Sequence, residues 1–427
     1  MILLLVLLII LAALAGAPIF AVIAAAAMLG FYAGDTPLTV IAVEIYRLVD
    51  TPLLLALPLF TLAGYLLGES RTSERLVRLA RAALGWMPGG LPVVAFLTCA
   101  FLTAFTGASG VTIVALGAML YPALKMGGYP DRFSLGLVTS SGALGLLLPP
   151  SLPLILYAVI AQQLPAGAGV TIQDVFTAGL LPCLVMIVAL SLFGLRVTKQ
   201  NNVPLHKFSW GELRAAIADA KWELPLPVFV FAGIYGGFFA VSEAAAVTAL
   251  YVLVTQVLVY REIKPRELPR IMREAMMMVG SVLLIVGVAM AFTNWLIDAE
   301  IPNQLFDLVR EHIHSKYVFL LALTAFLLVL GMMLDIFSAL VIMVPLLLPM
   351  AVGYGVHPVH LGIIFLATME IGYCMPPVGM NLVIGSFRFR KPVMELAHAS
   401  LPFMAVLLVA VLIITYVPWL SLVFIGE

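Results

Sequence analysis

Apolar runs long enough to cross a bilayer follow one another along this chain, and two of them are interrupted in the same way. Gly331–Asn381 reads GMMLDIFSALVIMVPLLLPMAVGYGVHPVHLGIIFLATMEIGYCMPPVGMN. It is apolar throughout, yet Gly331, Pro345, Pro349, Gly353, Gly355, Gly372, Pro376, Pro377 and Gly379 punctuate it, and each disfavours an unbroken helix. Gly107–Pro153 carries the same pattern. Slid forward by 227 positions, Pro122 falls on Pro349, Ser141 on Thr368, Gly145 on Gly372, and Pro149-Pro150 on Pro376-Pro377. Lipid cannot satisfy backbone freed at a helix break, so such breaks line a protein-enclosed cavity. Interrupted apolar segments in matching positions of two halves point to the binding site of a transporter.

The remaining pattern predicts the other elements. Residues 1–33 form one tilted helix or a broken one, softened at Gly16-Ala17-Pro18, since about 20 apolar residues suffice to cross. They lack the basic start of a cleaved signal peptide. Residues 35–50 read as interfacial and 51–68 as a span. Residues 71–86 put Leu76, Leu79, Ala80 and Ala83 on one face and four arginines on the rest, an amphipathic helix lying on the surface. Residues 90–125 hold apolar runs on both sides of Thr106–Gly110, which reads as a hairpin entering and leaving by one face. A broken helix over 132–160 follows, then spans near 176–196, 222–240, 243–260 and 275–296, and a surface-lying stretch at 298–316. A second hairpin over 317–353, turning around Gly331–Ser338, leads to a second broken helix at 358–386 and a final span over 400–425. The expected count is about nine full spans plus two hairpins.

Composition agrees with a polytopic membrane protein. Of 427 residues 63% are hydrophobic and 10% charged, against about 25% charged in soluble domains. The net charge of zero gives no case for a nucleic-acid partner. Charge placement sets the orientation. Of 22 Lys and Arg, all but Arg47, Arg310 and Lys316 fall in clusters at 71–81, 125–132, 196–221, 261–273 and 388–391. With the crossings above, all five clusters share one side, which is cytoplasmic by the positive-inside rule. The first hairpin then opens from the cytoplasm and the second from outside, an inverted-topology repeat suited to alternating access.

The chemistry on offer is oxygen ligation. Gly107 and Ser109 in TGASG, facing Thr139, Ser140 and Ser141 before a proline break, supply hydroxyls and carbonyls suited to Na⁺; the competing reading is tight packing of small residues. Asp335, Ser338 and Thr368, with the Gly372–Pro377 break, form the mirror set. Asp335 is a functional residue by virtue of its charge within the membrane, or a cap on the returning half-helix, and the two roles are compatible. Glu370 is either a proton or cation carrier or a hydrogen-bonded acid inside the bundle. Asn381 donates to a substrate carboxylate or satisfies freed carbonyls. Ser242 and Glu243 read as a helix start. Cys99, Cys183 and Cys374 are isolated and read as small core residues. The sequence holds no GxxxxGK[ST], HExxH or GxSxG, so neither a nucleotide motor nor an intramembrane hydrolase is visible.

VTSSGALGLLLPPSLPLILYA, SEAAAVTALY and LDIFSALVIMVPLLLPMAVGYGVHPVHLGIIFLATMEIGYCMPPVGMNL resemble the large membrane subunit, DctM type, of tripartite ATP-independent periplasmic (TRAP) transporters. The resemblance spans essentially the whole chain. It implies an all-α polytopic protein of the bacterial inner membrane and not an enzyme: inverted repeats, each with a re-entrant helical hairpin and a broken transmembrane helix, working as an elevator-type transporter. The scaffold and arms would be residues 1–89 and 176–316, the transport region 90–175 and 317–387, and the C-terminal helix 388–427. It further implies Na⁺-driven import of an organic acid such as a C4-dicarboxylate or sialic acid. A DctP-type periplasmic binding protein would deliver the acid, and a small four-helix DctQ-type subunit, expected as a separate chain, would complete the assembly. Beyond Na⁺ as coupling ion no cofactor is expected.

By position, the resemblance assigns one Na⁺ site to Gly107, Ser109, Ser140, Ser141 and Gly145. It assigns the other to Asp335, Ser338, Thr368, Gly372 and Met375. Substrate would lie between the tips, near Thr106, Ser109, Pro150, Pro377 and Asn381. Ala108 leaves the first tip without a second hydroxyl, and more ligation there falls to carbonyls. Surface helices at 71–86, 205–220, 262–274 and 298–316 would be arms joining scaffold to elevator. The alternative is a free-standing Na⁺/carboxylate transporter that needs no binding protein.

Overall fold

The computed structural model describes all residues except 1, 50, 202, 204–207, 426 and 427, so the start of the expected 205–220 arm lies outside the described residues. Among the described residues there are helices and no strand. The chain opens with α1 (Ile2–Leu14), α2 (Ile19–Ala33), α3 (Thr39–Val49), α4 (Ala56–Glu69) and the surface helix α5 (Thr72–Leu84). The first hairpin is α6 (Gly90–Thr106) and α7 (Ser109–Met126). The first broken helix is α8 (Asp131–Ser141) and α9 (Leu152–Gln162), with a 3-10 turn at Leu144–Leu147 between them. Then come α10 (Ile172–Gln200), α11 (Trp210–Asp219), α12 (Pro225–Tyr235), α13 (Val241–Val254), α14 (Leu268–Asp298) and α15 (Ile301–His312). The second hairpin is α16 (Lys316–Met333) and α17 (Ile336–Gly353), and the second broken helix α18 (Pro358–Gly372) and α19 (Met380–Phe389). α20 (Val393–Tyr416) and α21 (Trp419–Leu422) close the fold.

Both hairpins return to the level at which they start. At the base of the first, a Cβ on Gly127 would sit 3.1 Å from Leu91. At the base of the second, Lys316 donates to the Gly355 carbonyl at 2.5 Å and Tyr354 to that of Ile313 at 2.6 Å. The two bases lie at opposite ends of the broken helices. α8 begins beside the first base, where Asp131 pairs with Lys125 at 2.8 Å. α9 ends beside the second, where Tyr157 donates to the carbonyl of Pro358. The second broken helix runs the other way, from Pro358 to Phe389, whose ring meets Tyr121 at 5.3 Å. The two repeats are therefore inverted. The basic clusters gather at the first base: Tyr129 bonds Thr198, Lys391 approaches Asp131, and Arg75 and Arg78 pair with Glu223, Glu262 and Glu212.

The broken helices form the core. Every residue of α9 from Leu152 to Ala161 and of α18 from Val359 to Gly372 is buried, as a helix apolar on all sides should be. Small residues let backbones meet where lipid gives no hydrophobic drive. A Cβ on Gly64 would fall 2.2 Å from the Phe105 carbonyl, and one on Gly136 2.1 Å from that of Ala399. Caps fix several starts. Thr171 and Asp174 exchange side-chain to backbone bonds at 3.1 Å at the head of α10, a capping box. Glu243 accepts the Ala240 N–H at 2.9 Å, in keeping with a helix start there.

One open expectation resolves and two change. Residues 1–33 are the broken alternative, two helices, because Gly16 takes φ +88 and Pro18 cannot continue α1. The 222–240 span shrinks to the 11 residues of α12, about 16 Å at 1.5 Å per residue, because Gly236 and Gly237 (φ +70) end it. The 262–274 arm is not separate: from Leu268 it runs straight into the following span as the 31-residue α14. The nine expected spans include the two broken helices, so they are not nine unbroken ones. Seven described helices are long and apolar enough to cross, eight with the bent pair α8–α9, and three of the seven are hairpin arms. α2, α4 and α12, at 15, 14 and 11 residues, fall short of the roughly 17–25 needed.

Candidate functional site

The two hairpin tips meet in one cavity of about 380 Å³. Gly107, Ala108 and Ser109 line it from the first tip, and Asp335, Ile336 and Phe337 from the second. Leu146 and Tyr373 reach it from the two breaks, and Met278, Ser281 and Ile285 close it from α14. The site thus lies on the seam between the hairpin and broken-helix body and a long helix outside it.

Each tip leans on its own break, and the repeat survives in the packing. At the second break a Cβ on Gly372 would sit 2.6 Å from Gly331 Cα; at the first, one on Gly145 would sit 2.6 Å from Ala104 N. These are the same pair 227 positions apart. Both Pro-Pro bonds, Pro149-Pro150 and Pro376-Pro377, are cis. Leu146 and Tyr373 also correspond by this shift, and both face the cavity.

The tips differ in how they start their returning helices. Asp335 caps α17: its carboxylate accepts the Phe337 and Ser338 N–H groups at 3.1 Å each and the Ser338 hydroxyl at 2.5 Å. Its carbonyl takes the Ala339 N–H at 2.9 Å, and the Ile336 N–H donates to the Tyr373 hydroxyl. The Ile336, Phe337 and Ser338 N–H groups, three of the four that a helix start leaves free, are thus occupied. At the corresponding position of α7 stands Ala108, with no side-chain cap. Among the described residues the N–H groups of Ser109, Gly110 and Val111 find no acceptor. Gly107 permits the approach with φ +65, where a Cβ would press within 2.4 Å of Leu152.

Of the residues assigned from sequence, Gly107, Ser109 and Asp335 line the cavity, and the others do not. Thr106 is buried beside the tip. Ser140 and Thr368 donate to the carbonyls of Gly136 (2.8 Å) and Ile364 (2.7 Å), which leaves their oxygen lone pairs free to accept or ligate. Ser141 donates to Cys99 Sγ at 3.3 Å, and Ser338 to Asp335. Gly145 and Gly372 are packing contacts. Pro150 is buried, whereas Pro377 is exposed and Met375 half-buried. Asn381 donates to the Thr139 carbonyl at 3.2 Å and joins the two broken helices, while its Oδ1 is buried without a partner. Glu370 is buried with both carboxyl oxygens unpartnered.

Three residues escape the sequence reading. Thr103 and Thr112 share a 2.6 Å hydrogen bond, and Thr103 also donates to the Gly142 carbonyl at 2.8 Å, gathering hard oxygens behind the first tip. Their signal is placement, one threonine on each side of TGASG. Tyr373 had none beyond a lone phenol between Gly372 and Cys374.

Comparison with known proteins identifies the family. The model of the DctM component of tripartite ATP-independent periplasmic transporters matches residues 2–420. The chain is 33% identical to the C4-dicarboxylate TRAP transporter large permease protein DctM of Rhodobacter capsulatus, over 91% of this chain and 90% of that one. It is also 33% identical to the isethionate TRAP transporter permease protein DctMQ of Oleidesulfovibrio alaskensis, over 92% of this chain and 61% of the longer relative. Among solved structures the fold resembles the YdaH transporter of Alcanivorax borkumensis, with a TM-score of 0.60 at 14% identity over 89% of each chain. These relatives are membrane permeases and not enzymes, and the apolar helices agree with a multi-pass place in the bacterial inner membrane. With its family match running nearly end to end and its two inverted hairpin repeats, the chain belongs to the DctM family of TRAP transporters.

Proposed function

We propose that this chain is the large permease subunit of a Na⁺-driven importer of an organic acid, working with a separate small four-helix subunit and a periplasmic binding protein. The acid is a C4-dicarboxylate, sialic acid or a similar carboxylate. One observation carries the reading: both tips, each backed by a broken helix, converge on a single cavity that also touches α14. Such a site is opened to either side by sliding the hairpin body along its neighbour, which is an elevator movement. Na⁺ would be held behind the tips by hydroxyl and carbonyl oxygens. Ser140, Ser141, Thr103 and Thr112 stand behind the first tip, Thr368 and Ser338 behind the second and Asp335 on it, and all are hard donors of the kind a small cation takes.

The test is uptake into proteoliposomes holding this chain and its small subunit, with binding protein outside and a panel of carboxylates. Uptake of one acid that needs both an inward Na⁺ gradient and the binding protein is expected. Equal uptake without the binding protein would make the chain a free-standing symporter, and flux without any gradient would make it a channel.

A further inference from the structure

We propose that a phospholipid with a zwitterionic headgroup, a phosphate beside a primary ammonium, seats in the pocket between the surface helices α5 and α11 and the first hairpin. This pocket, about 460 Å³, shares no residue with the cavity at the tips. It lies on the basic face, the cytoplasmic one by the positive-inside rule. Glu74, Arg78, Arg81 and Glu212 line it and are exposed, whereas Val77 is buried and Ala82 and Met119 are half-buried. Met119 stands seven residues before the end of α7 at Met126, about 10 Å down the hairpin. The pocket therefore grades from charged to apolar as it descends towards the membrane interior, as a headgroup and the start of its chains do. Aromatic rings mark the same level. Trp86 is fixed by its indole N–H on the Ala83 carbonyl at 2.8 Å, and Phe208 packs between it and Trp210, at 6.1 and 5.1 Å. Exposed aromatic side chains of this kind gather at the membrane–water boundary. Charge selects the headgroup. Among the described residues the ion pairs across this pocket use Arg78, with Glu212 and Asp219, and not Arg81. Glu74 meets only Arg71, at 4.0 Å. Arg81 and Glu74 are the open pair, seven residues apart on one face of α5, about 10 Å along its axis. A phosphate on Arg81 with an ammonium on Glu74 serves both. The four lining charges sum to zero, so a purely anionic headgroup would meet two carboxylates, and a quaternary ammonium has no N–H to give Glu74. A free phosphate would leave the apolar wall uncovered. Because the walls come from surface helices and from a hairpin arm, a seated lipid joins the two and favours the arrangement described here.

Native mass spectrometry of the full-length chain in detergent reads the site, with titration by phosphatidylethanolamine, phosphatidylglycerol and phosphatidylcholine of identical acyl chains. Phosphatidylethanolamine is expected to bind about threefold to fivefold more tightly than the other two, the scale of one exposed charge pair. Arg81→Gln should weaken its binding by a similar factor, and Glu74→Gln should erase the preference over phosphatidylglycerol. Arg132→Gln, which removes an exposed cation of the same face outside the pocket, should leave both unchanged. Equal binding of the three lipids by wild type overturns the proposal, as does an unaltered preference in both Arg81→Gln and Glu74→Gln. If Arg81→Gln does not fold, Glu74→Gln decides alone. Inorganic phosphate should not displace the lipid; displacement would make the pocket a free-anion site and overturn the lipid assignment.

Discussion

Gly331 on the second hairpin and Gly372 at the second break pack backbone to backbone, with room for neither to carry a side chain: a Cβ on Gly372 would lie 2.6 Å from Gly331 Cα. The contact fixes how far the tip stands from the break. Gly372→Ala should push α16 and α18 apart, at the roughly 1–3 kcal/mol typical of overpacking. A lower melting temperature in detergent, with weaker uptake, is the expected outcome. An unchanged melting temperature would mean that the interface is looser than its geometry indicates.

Thr368 and Ser141 occupy the same position of the two repeats, each buried and each with its hydroxyl hydrogen engaged elsewhere. Thr368→Val keeps the shape and removes the oxygen; Ser141→Ala does nearly the same. Each should raise the Na⁺ concentration for half-maximal uptake by about tenfold, near 1.4 kcal/mol, with normal membrane insertion. Sodium dependence identical to wild type in both would remove the ion-site assignment.

On the basic face, α5 is clamped by Arg75. Its guanidinium donates to Glu223 at 2.7 Å and also to Glu262, and lies 3.9 Å over the Tyr260 ring. The Arg75 and Glu223 side chains are only 10% and 2% exposed. Arg75→Met would strand Glu223 without its counter-charge, and breaking such a buried pair costs about 3–5 kcal/mol. A lowered melting temperature is expected, largely restored by Arg75→Met with Glu223→Gln. Failure of the double variant to recover would show that Glu262 and Tyr260 dominate.

The docking of α11 on α5 should depend on acid. Arg78 donates to Glu212 at 2.8 Å, and that bond, reinforced by its charge, holds the Glu212 carboxyl below its ordinary value of 4.5. A carboxyl lowered by folding stabilises fully above the unfolded value, and the contribution fades as pH falls through the folded one. Spin-label distances between α5 and α11 should therefore hold from pH 8 to 5 and broaden only below the ordinary glutamate range. Glu212→Gln should broaden them at neutral pH, and added salt should act in the same direction, because the pair is exposed and screened. Broadening already at pH 6 would point to a different titrating group.

The repeat, the two breaks, the hairpins and the sidedness of the basic clusters were all legible in the chain, because each rests on a local rule. Proline and glycine interrupt helices wherever they stand, apolar length decides what can cross, and a shift of 227 positions needs only the letters. Local rules were weaker where tertiary contact arbitrates. α12 ends early at its glycines, and α14 carries on through a stretch that composition alone would break into two helices. The difference between the tips is intermediate. Asp335 could be recognised as a cap, but that Ala108 leaves three amides facing the same cavity is visible only when both tips are brought together.

Sequence by itself determined that this is a membrane protein built from two inverted halves around broken helices, since the cost of unsatisfied backbone in lipid and the placement of charge are written along the chain. The tertiary structure alone decided which residues share the cavity. Thr103 meets Thr112, Asn381 ties to Thr139 and Tyr373 takes the Ile336 amide, pairings set by how the hairpins fold back on the breaks and not by spacing, because chain distance and spatial distance part company once helices pack.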